Sequence, residues 1–172
     1  MTPDRQPVLE GELVTIRPLR AEDWDALFAV ASDPLIWELH PAQDRWREPV
    51  FRNFFAEALA CGGGLAILDR ASGAVIGSSR YDFWVPQEDE IEIGWTFIAR
   101  VYWGGTYNRE VKQLMLDHIH RFVRRVVFLV GRDNLRSRGA MAKIGGTLIE
   151  GRTHRGGGQV FPDHVVYEIC RP

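Results

Sequence analysis

The stretch from residue 90 to about residue 145 restricts the possible folds more than any other part of the chain. It opens with EIEIGWTFI, residues 90–98, where apolar and polar residues alternate as they do along a half-buried strand. By that alternation Glu90, Glu92, Gly94 and Thr96 share one face, and Ile91, Ile93, Trp95 and Phe97 share the other. RVYWGGTYNRE, residues 100–110, then sets two glycines in front of helix-forming sequence. Val111, Leu114, Met115, His118, Ile119 and Phe122 recur at helical spacing, which predicts a long amphipathic helix. RVVFLVG, residues 125–131, has no polar alternation and reads as a strand covered on both faces. DNLRSRGAMAKIGG begins with capping residues and ends in glycines, marking a shorter helix. A strand, a crossover helix and a parallel strand bring the N-terminus of that first helix to the carboxyl end of the first strand.

The flanking sequence supplies the rest of a sheet. LVTIRPL, residues 13–19, alternates as a strand, and Trp24, Leu27, Phe28 and Ala31 form a helical stripe. Prolines at 34, 41 and 49 make the next segment irregular, before a second helix over about 50–60 that Gly62 to Gly64 end. LAILDR and AVIGSSRYDFWV flank the turn ASG as a hairpin. Two more strands, about 147–151 and 160–169, enclose RTHRGGGQ, a mobile loop by composition. The order is a strand, two helices, three strands, helix, strand, helix and two strands. It predicts a mixed α/β sheet in one layer with helices on its faces, and one domain spanning residues 1–172.

A net charge of −2 argues against a generic nucleic-acid binder, which carries a basic surplus. Cys61 and Cys170 stand alone, so neither a disulfide framework nor a zinc site is expected, and a reducing compartment fits. The N-terminal MTPDRQPVLEGE lacks the apolar stretch of a signal peptide. No apolar run approaches the roughly 18 to 20 residues that span a bilayer. The expectation is a soluble cytoplasmic protein without membrane or nucleic-acid partners.

Gly104 and Gly105 have two readings. Unpaired N–H groups at the start of a helix attract an anion, and glycines there let a phosphate approach the backbone. The same pair also serves a turn that needs glycine for geometry alone. No Gly-Lys-Ser/Thr follows, so this is not a Walker loop, and Gly-x-Gly-x-x-Gly is absent.

LVTIRPLRAEDWDALFAVASDP, EIEIGWTFIARVYWGGTYNREVKQLMLDHIHRF and VGRDNLRSRGAMAKIGG, taken in order, resemble the Gcn5-related N-acetyltransferases (GNAT). The likeness is strongest to the branch holding the ribosomal-protein N-terminal acetyltransferases. It implies about six to seven strands, mostly antiparallel with a central parallel pair that splays, flanked by about four helices. It also implies acetyl-CoA as co-substrate, no metal, a primary amine acceptor (a protein N-terminus or a small molecule) and a homodimer. The family's diphosphate turn is Arg/Gln-x-x-Gly-x-Gly/Ala. Here Gly104 matches its first glycine, Val101 falls on the basic position, Thr106 falls on the second glycine, and Arg100 is one residue out of register. The resemblance therefore leaves the backbone amides of Gly104, Gly105, Thr106, Tyr107, Asn108 and Arg109 as the diphosphate cradle, with Trp103 beside them. Phe97 and Ile98 would pair with the pantetheine arm through backbone groups. Asn134 matches the asparagine that contacts the cofactor, and Lys143 and Gly145 match the close of that motif. Arg136 and Arg138 either neutralise phosphate or are solvated.

Acetyl transfer to an amine requires a neutral amine, a donor for the developing oxyanion, and a proton or hydrogen bond for the departing thiolate. Glu92 is the candidate base, against the alternative that Glu90 and Glu92 line a solvated strand face. Relatives often carry a proton-donating tyrosine where this chain has Met141. Ser137, on the stripe with Ala140, Met141 and Ile144, is the candidate acid or else a small packing residue. His118 is a core histidine by its place in the stripe. His40, Trp37 and Trp46 lie in the proline-rich connection, where they shape an acceptor pocket or fill the core. The departures at Val101, Thr106 and Met141 keep a second function open, a CoA-binding sensor or interaction domain with weakened catalysis.

Overall fold

Strand pairing in the computed structural model, which describes residues 1–171, follows the alternating runs of the sequence. The elements are β1 (Leu9–Glu10), β2 (Val14–Pro18), α1 (Trp24–Ala31), α2 (Glu48–Ala60), β3 (Gly64–Asp69), β4 (Val75–Val85), β5 (Glu90–Ile98), α3 (Tyr107–Ile119), β6 (Arg125–Gly131), α4 (Leu135–Lys143), β7 (Thr147–Ile149) and β8 (His164–Cys170). They form one sheet of eight strands in the order β1-β2-β3-β4-β5-β6-β8-β7. Every neighbouring pair is antiparallel except β5 and β6. The count exceeds the expected six to seven because β1, two residues long, is too short to carry a periodicity. Among the described residues no helix is long and apolar enough to cross a membrane.

Two apolar layers cover the sheet. Val111, Met115, Leu116 and Ile119 of α3 pack with Ile91, Ile93, Val126 and Phe128. Leu27 and Ala31 of α1 pack with Phe51, Phe54 and Phe55 of α2, and Phe97 of β5 joins them. Burial on both sides explains why β6 carries Val126, Val127 and Phe128 without a polar break.

The alternation of β5 does not run through. Trp95 and Thr96 together face the single residue Ser79 of β4, a β-bulge in which Trp95 takes a φ of 54°. One added residue reverses every later side chain. Ile91 and Ile93 therefore face the α3 layer, whereas Phe97 faces the α1–α2 layer and Ile98 returns to the α3 side. Thr96 points at α3, where its hydroxyl accepts a hydrogen bond from Lys112. The face shared by Glu90 and Glu92 is not solvated: the two residues are 0% and 2% exposed.

Pairing between β5 and β6 covers Glu90 with Arg125, Ile91 with Val126 and Glu92 with Val127, and then stops. Beyond that point β5 is bonded only to β4, and β6 only to β8. A wedge opens between the two parallel strands.

The wedge is held from below by α3, and α3 is tied to the far edge of the sheet by one carboxylate. Glu110 accepts hydrogen bonds from the backbone N–H groups of Glu12, Leu13 and Val14 at 2.9, 2.8 and 2.8 Å. Removing it leaves those donors without their partner. Glu110→Ala should lower the unfolding free energy by about 2–3 kcal/mol, and Glu110→Gln, which keeps an acceptor oxygen, by less. Urea denaturation of the two variants reads the difference, and equal midpoints for Ala and wild type would contradict the anchoring role.

Candidate active site

The mouth of the wedge is the turn between β5 and α3. Among the described residues, the N–H groups of Gly104, Gly105, Thr106, Tyr107, Asn108 and Arg109 find no protein acceptor, and Thr106 caps α3 with no side-chain bond. A row of free donors at a helix start is a site for an anion. The two glycines are there for different reasons. Gly104 has a φ of 73°, in the left-handed region that favours glycine, so the turn alone explains it. Gly105 needs no such backbone, and a Cβ built on it would meet nothing within 4 Å. Neither turn geometry nor packing requires glycine at 105, and a side chain there would project into open space.

Side chains around this mouth are already engaged. Trp103 donates its indole N–H to the carbonyl of Ile98 at 2.8 Å, occupying part of the backbone expected to meet a pantetheine arm. The Arg136 guanidinium lies 3.9 Å from the Trp103 ring and donates to the Ile36 carbonyl at 3.0 Å. Arg138 donates to the Tyr167 hydroxyl and the Arg132 carbonyl, both at 3.1 Å, so neither arginine is merely solvated. Asn134 is buried and caps α4 by accepting from the N–H of Ser137 at 3.1 Å.

Glu92 stands at the root of the wedge, on the last residue of β5 that pairs with β6. Its partner is Arg155, from the connection between β7 and β8. Arg155 Nη2 donates to Oε1 at 3.3 Å, while Nε lies 3.1 Å from Oε2 with its N–H turned away. Oε2 and that Nε are both left without a hydrogen bond. Burial, only partly opposed by Arg155, pushes the Glu92 carboxyl up to about 7. Glu90 has the opposite environment. Arg152 binds both of its oxygens, at 2.8 and 2.6 Å, and Arg125 adds a third contact at 3.6 Å. The two acids thus differ: Glu90 is locked in a structural ion pair, and Glu92 is incompletely satisfied. The loop that carries Arg155 is docked, contrary to its expected mobility. His154 bridges to Val160, and a Cβ on Gly156 would fall 2.5 Å from Val85 Cγ2 and 3.1 Å from the Phe83 carbonyl.

Residues 14–147, more than half of the chain, match the family model for the acetyltransferase (GNAT) domain. The chain belongs to the GNAT family of acetyltransferases. The fold is shared with a GCN5-related N-acetyltransferase from Brucella melitensis, at 21% identity and a TM-score of 0.78 over 96% of this chain and 79% of that one. It is shared equally with an acetyltransferase from Agrobacterium tumefaciens, at 24% identity and 0.74 over 96% and 95%. The microcin C7 self-immunity acetyltransferase MccE, solved with acetyl-CoA and AMP, superposes at 0.76 with 12% identity over 98% and 99%. Among proteins of curated function none matches the sequence.

In this GNAT domain Ser137 sits half-buried in the first turn of α4, beyond the β6 side of the wedge, and Met141 is packed in the core. Lys112 is a residue the sequence pattern did not mark. It is 3% exposed, donates to Thr96 Oγ1 at 2.5 Å, and lies 5.6 Å from the Phe128 ring, so it crosses from α3 to both diverging strands. Burial pushes its ammonium down to about 7. Lys112 lies outside the helical stripe, and the bulge that turns Thr96 inward gives it a partner. On the α1–α2 side Trp37 is core: it is buried against Phe97 and donates to the Ala31 carbonyl at 2.8 Å. Trp46 remains exposed. His40 accepts from the N–H of Ala42, and burial pushes it down to about 3, leaving it neutral. His118 donates to the Asp4 carbonyl at 2.8 Å, as a hydrogen-bonded core histidine should.

The Glu92 environment has a consequence for stability that needs no substrate. A carboxyl raised to about 7 from an ordinary 4.5 favours the folded state while protonated, and that contribution disappears as pH rises through 7. Glu92→Gln cannot lose it. Relative to wild type, the variant should gain about 2 kcal/mol between pH 5 and pH 8, measured by chemical denaturation at both pH values. An unchanged difference would mean that Glu92 titrates as an ordinary carboxylate.

Proposed function

We propose that the protein transfers acetyl from acetyl-CoA directly to a primary amine within a ternary complex. The observation that carries this reading is the parting of β5 from β6 at Glu92 with free N–H groups from Gly104 to Arg109 at its mouth. The residues fit the cofactor. Main-chain donors take the diphosphate, which suits a turn whose Val101 and Thr106 replace the family's side-chain features, and the open space at Gly105 admits it. The unpaired edge of β5 beyond Glu92 takes the pantetheine arm. MccE, of the same fold, was solved with acetyl-CoA.

Bound acetyl-CoA supplies the activated acetyl group. The protein holds the two reactants in line, which lowers the barrier by proximity alone, and moves two protons. Glu92, poised near neutrality and next to the wedge, takes the proton of the incoming ammonium or amine. Ser137 is our candidate donor to the departing thiolate. Lys112 is the second candidate, because its ammonium reaches the bulge from beneath the wedge. A CoA-binding sensor without turnover is the competing reading; it rests on Met141, a core residue unable to donate a proton where relatives carry tyrosine.

Thiol release from acetyl-CoA across an amine and peptide panel separates the two. Glu92→Gln should lower kcat/KM by about 100-fold or more and erase an ascending limb centred near pH 7. Full activity at every pH would remove Glu92 as base, and binding of acetyl-CoA without turnover of any amine would favour the sensor. Gly105→Val should weaken acetyl-CoA binding at least about tenfold while leaving thermal unfolding in place, because its Cβ meets nothing. Unchanged calorimetric affinity would remove the turn from the cofactor site.

A further inference from the structure

A second opening, of about 400 Å³, lies on the α2 side of the sheet and reaches Arg155, the partner of Glu92. Its walls are made by two bulges. Phe83 of β4 and Trp95 of β5 both take left-handed backbone, with φ of 48° and 54°, and their rings stack at 6.1 Å. Aromatic residues in that region are strained, and here the strain sets both rings around cations. The Arg155 guanidinium lies 4.3 Å from Phe83, 5.0 Å from Trp95 and 4.5 Å from Phe161. Arg80 lies 4.4 Å from Trp95 and 5.5 Å from Phe54, and Arg45 lies 4.8 Å from that same Phe54 ring.

These guanidiniums are short of acceptors. Arg80 is 3% exposed, yet it makes one hydrogen bond, to the Phe54 carbonyl at 3.3 Å, and its nearest carboxylate oxygen is 3.8 Å away on Asp82. Its Nε has no partner. Asp82 is shared with Arg5 at 3.8 Å and accepts from the N–H of Phe83, and it hydrogen-bonds neither guanidinium. Arg45 has no ion pair among the described residues, and Glu57 lies exposed at the rim. Burial and the neighbouring Arg80 lower the basicity of Arg45, and burial, with a smaller contribution from Arg155, lowers that of Arg80. Buried positive charge with unused donors is costly until an anion meets it.

We propose that this cleft binds the anionic group of the acceptor, so that the acceptor is a primary amine bearing a carboxylate or a phosphate. The proposal rests on the acetyl-transfer reading above. Arg80 and Arg155 grip the anion, Arg45 adds charge from behind Arg80 across the Phe54 ring, and the amine is directed along Arg155 to Glu92. When Arg155 turns to the anion it leaves the Glu92 carboxylate with less positive charge beside it, which makes Glu92 a stronger base at the moment of binding. Polyamines and other purely cationic amines are repelled.

The test pairs acceptors that differ only in charge: amino acids with their carboxamides, phosphoethanolamine with ethanolamine, and spermidine as the cationic control, each followed by thiol release. The anionic member of a pair should be favoured in kcat/KM by at least about tenfold, and the pair that shows it tells carboxylate from phosphate. Arg80→Met, which keeps volume against Phe54 and Trp95, should collapse that ratio towards one while the KM for acetyl-CoA stays within about twofold. Arg45→Met, at a half-buried position without an ion pair, should reduce the ratio less and serves if Arg80→Met does not fold. Equal use of neutral and anionic amines, or a preference for spermidine, would overturn the proposal. Calorimetry with the N-acetylated amino acids, N-acetylphosphoethanolamine and the N-acetylated carboxamides reads the cleft apart from turnover. Tighter binding of the anions, lost in Arg80→Met, upholds the anion site even if no acceptor reacts and the transfer reading fails; equal or absent binding of all of them rejects it.

Discussion

Strand β5 cannot stay in register with both of its neighbours. Where two of its residues, Trp95 and Thr96, must face one residue of β4, the strand bends and twists, and its pairing with β6 has already ended at Glu92. The rest of the site depends on that mismatch. It opens the wedge, sets the free edge of β5 along it, and places the start of α3 with its unshared N–H groups at the mouth. It also turns Thr96 towards α3, where Lys112 reaches it, and turns Trp95 towards the opposite layer, where it forms a wall for Arg155.

Two buried acids, Glu90 and Glu92, lie side by side on one face of β5. Glu90 is neutralised in full by Arg152, and that pair closes the base of the parallel strands. One turn of the pleat away, Glu92 shares an arginine whose N–H groups fit it poorly. The contrast is physical: two acids of the same strand and the same face differ in how many donors reach them. The incompletely paired acid exchanges its proton near neutral pH, which is what a proton acceptor in acetyl transfer needs.

Much of this arrangement was legible in the residues. The stripe from Val111 to Phe122 located α3, the unbroken apolar run at 125–131 located a strand covered on both faces, and the glycines at 104 and 105 marked the turn whose N–H groups are left free. Other parts were not legible. A bulge shifts the alternation by one residue without any mark in composition, so the faces of Thr96 and Phe97 were inverted, and nothing in the pattern marked Lys112 as buried. Arg155 lies in a glycine-rich segment that reads as mobile. Besides contacts within its own loop, it is ordered by contacts from β4 and β5, sixty or more residues away, such as the approach of Gly156 to Phe83. Arg80 sits in a strand of ordinary pattern, and only the third dimension shows that its donors lack acceptors.

The central claim is that acetyl-CoA lies in the wedge with its diphosphate on main-chain hydrogens. Backbone amide resonances followed during an acetyl-CoA titration test it residue by residue. Saturable shifts confined to Gly104–Arg109 and the free edge of β5 beyond Glu92, with β1 to β3 undisturbed, are the predicted result. Saturation that leaves the amides of Gly104–Arg109 unmoved, or no saturation at all, would contradict it.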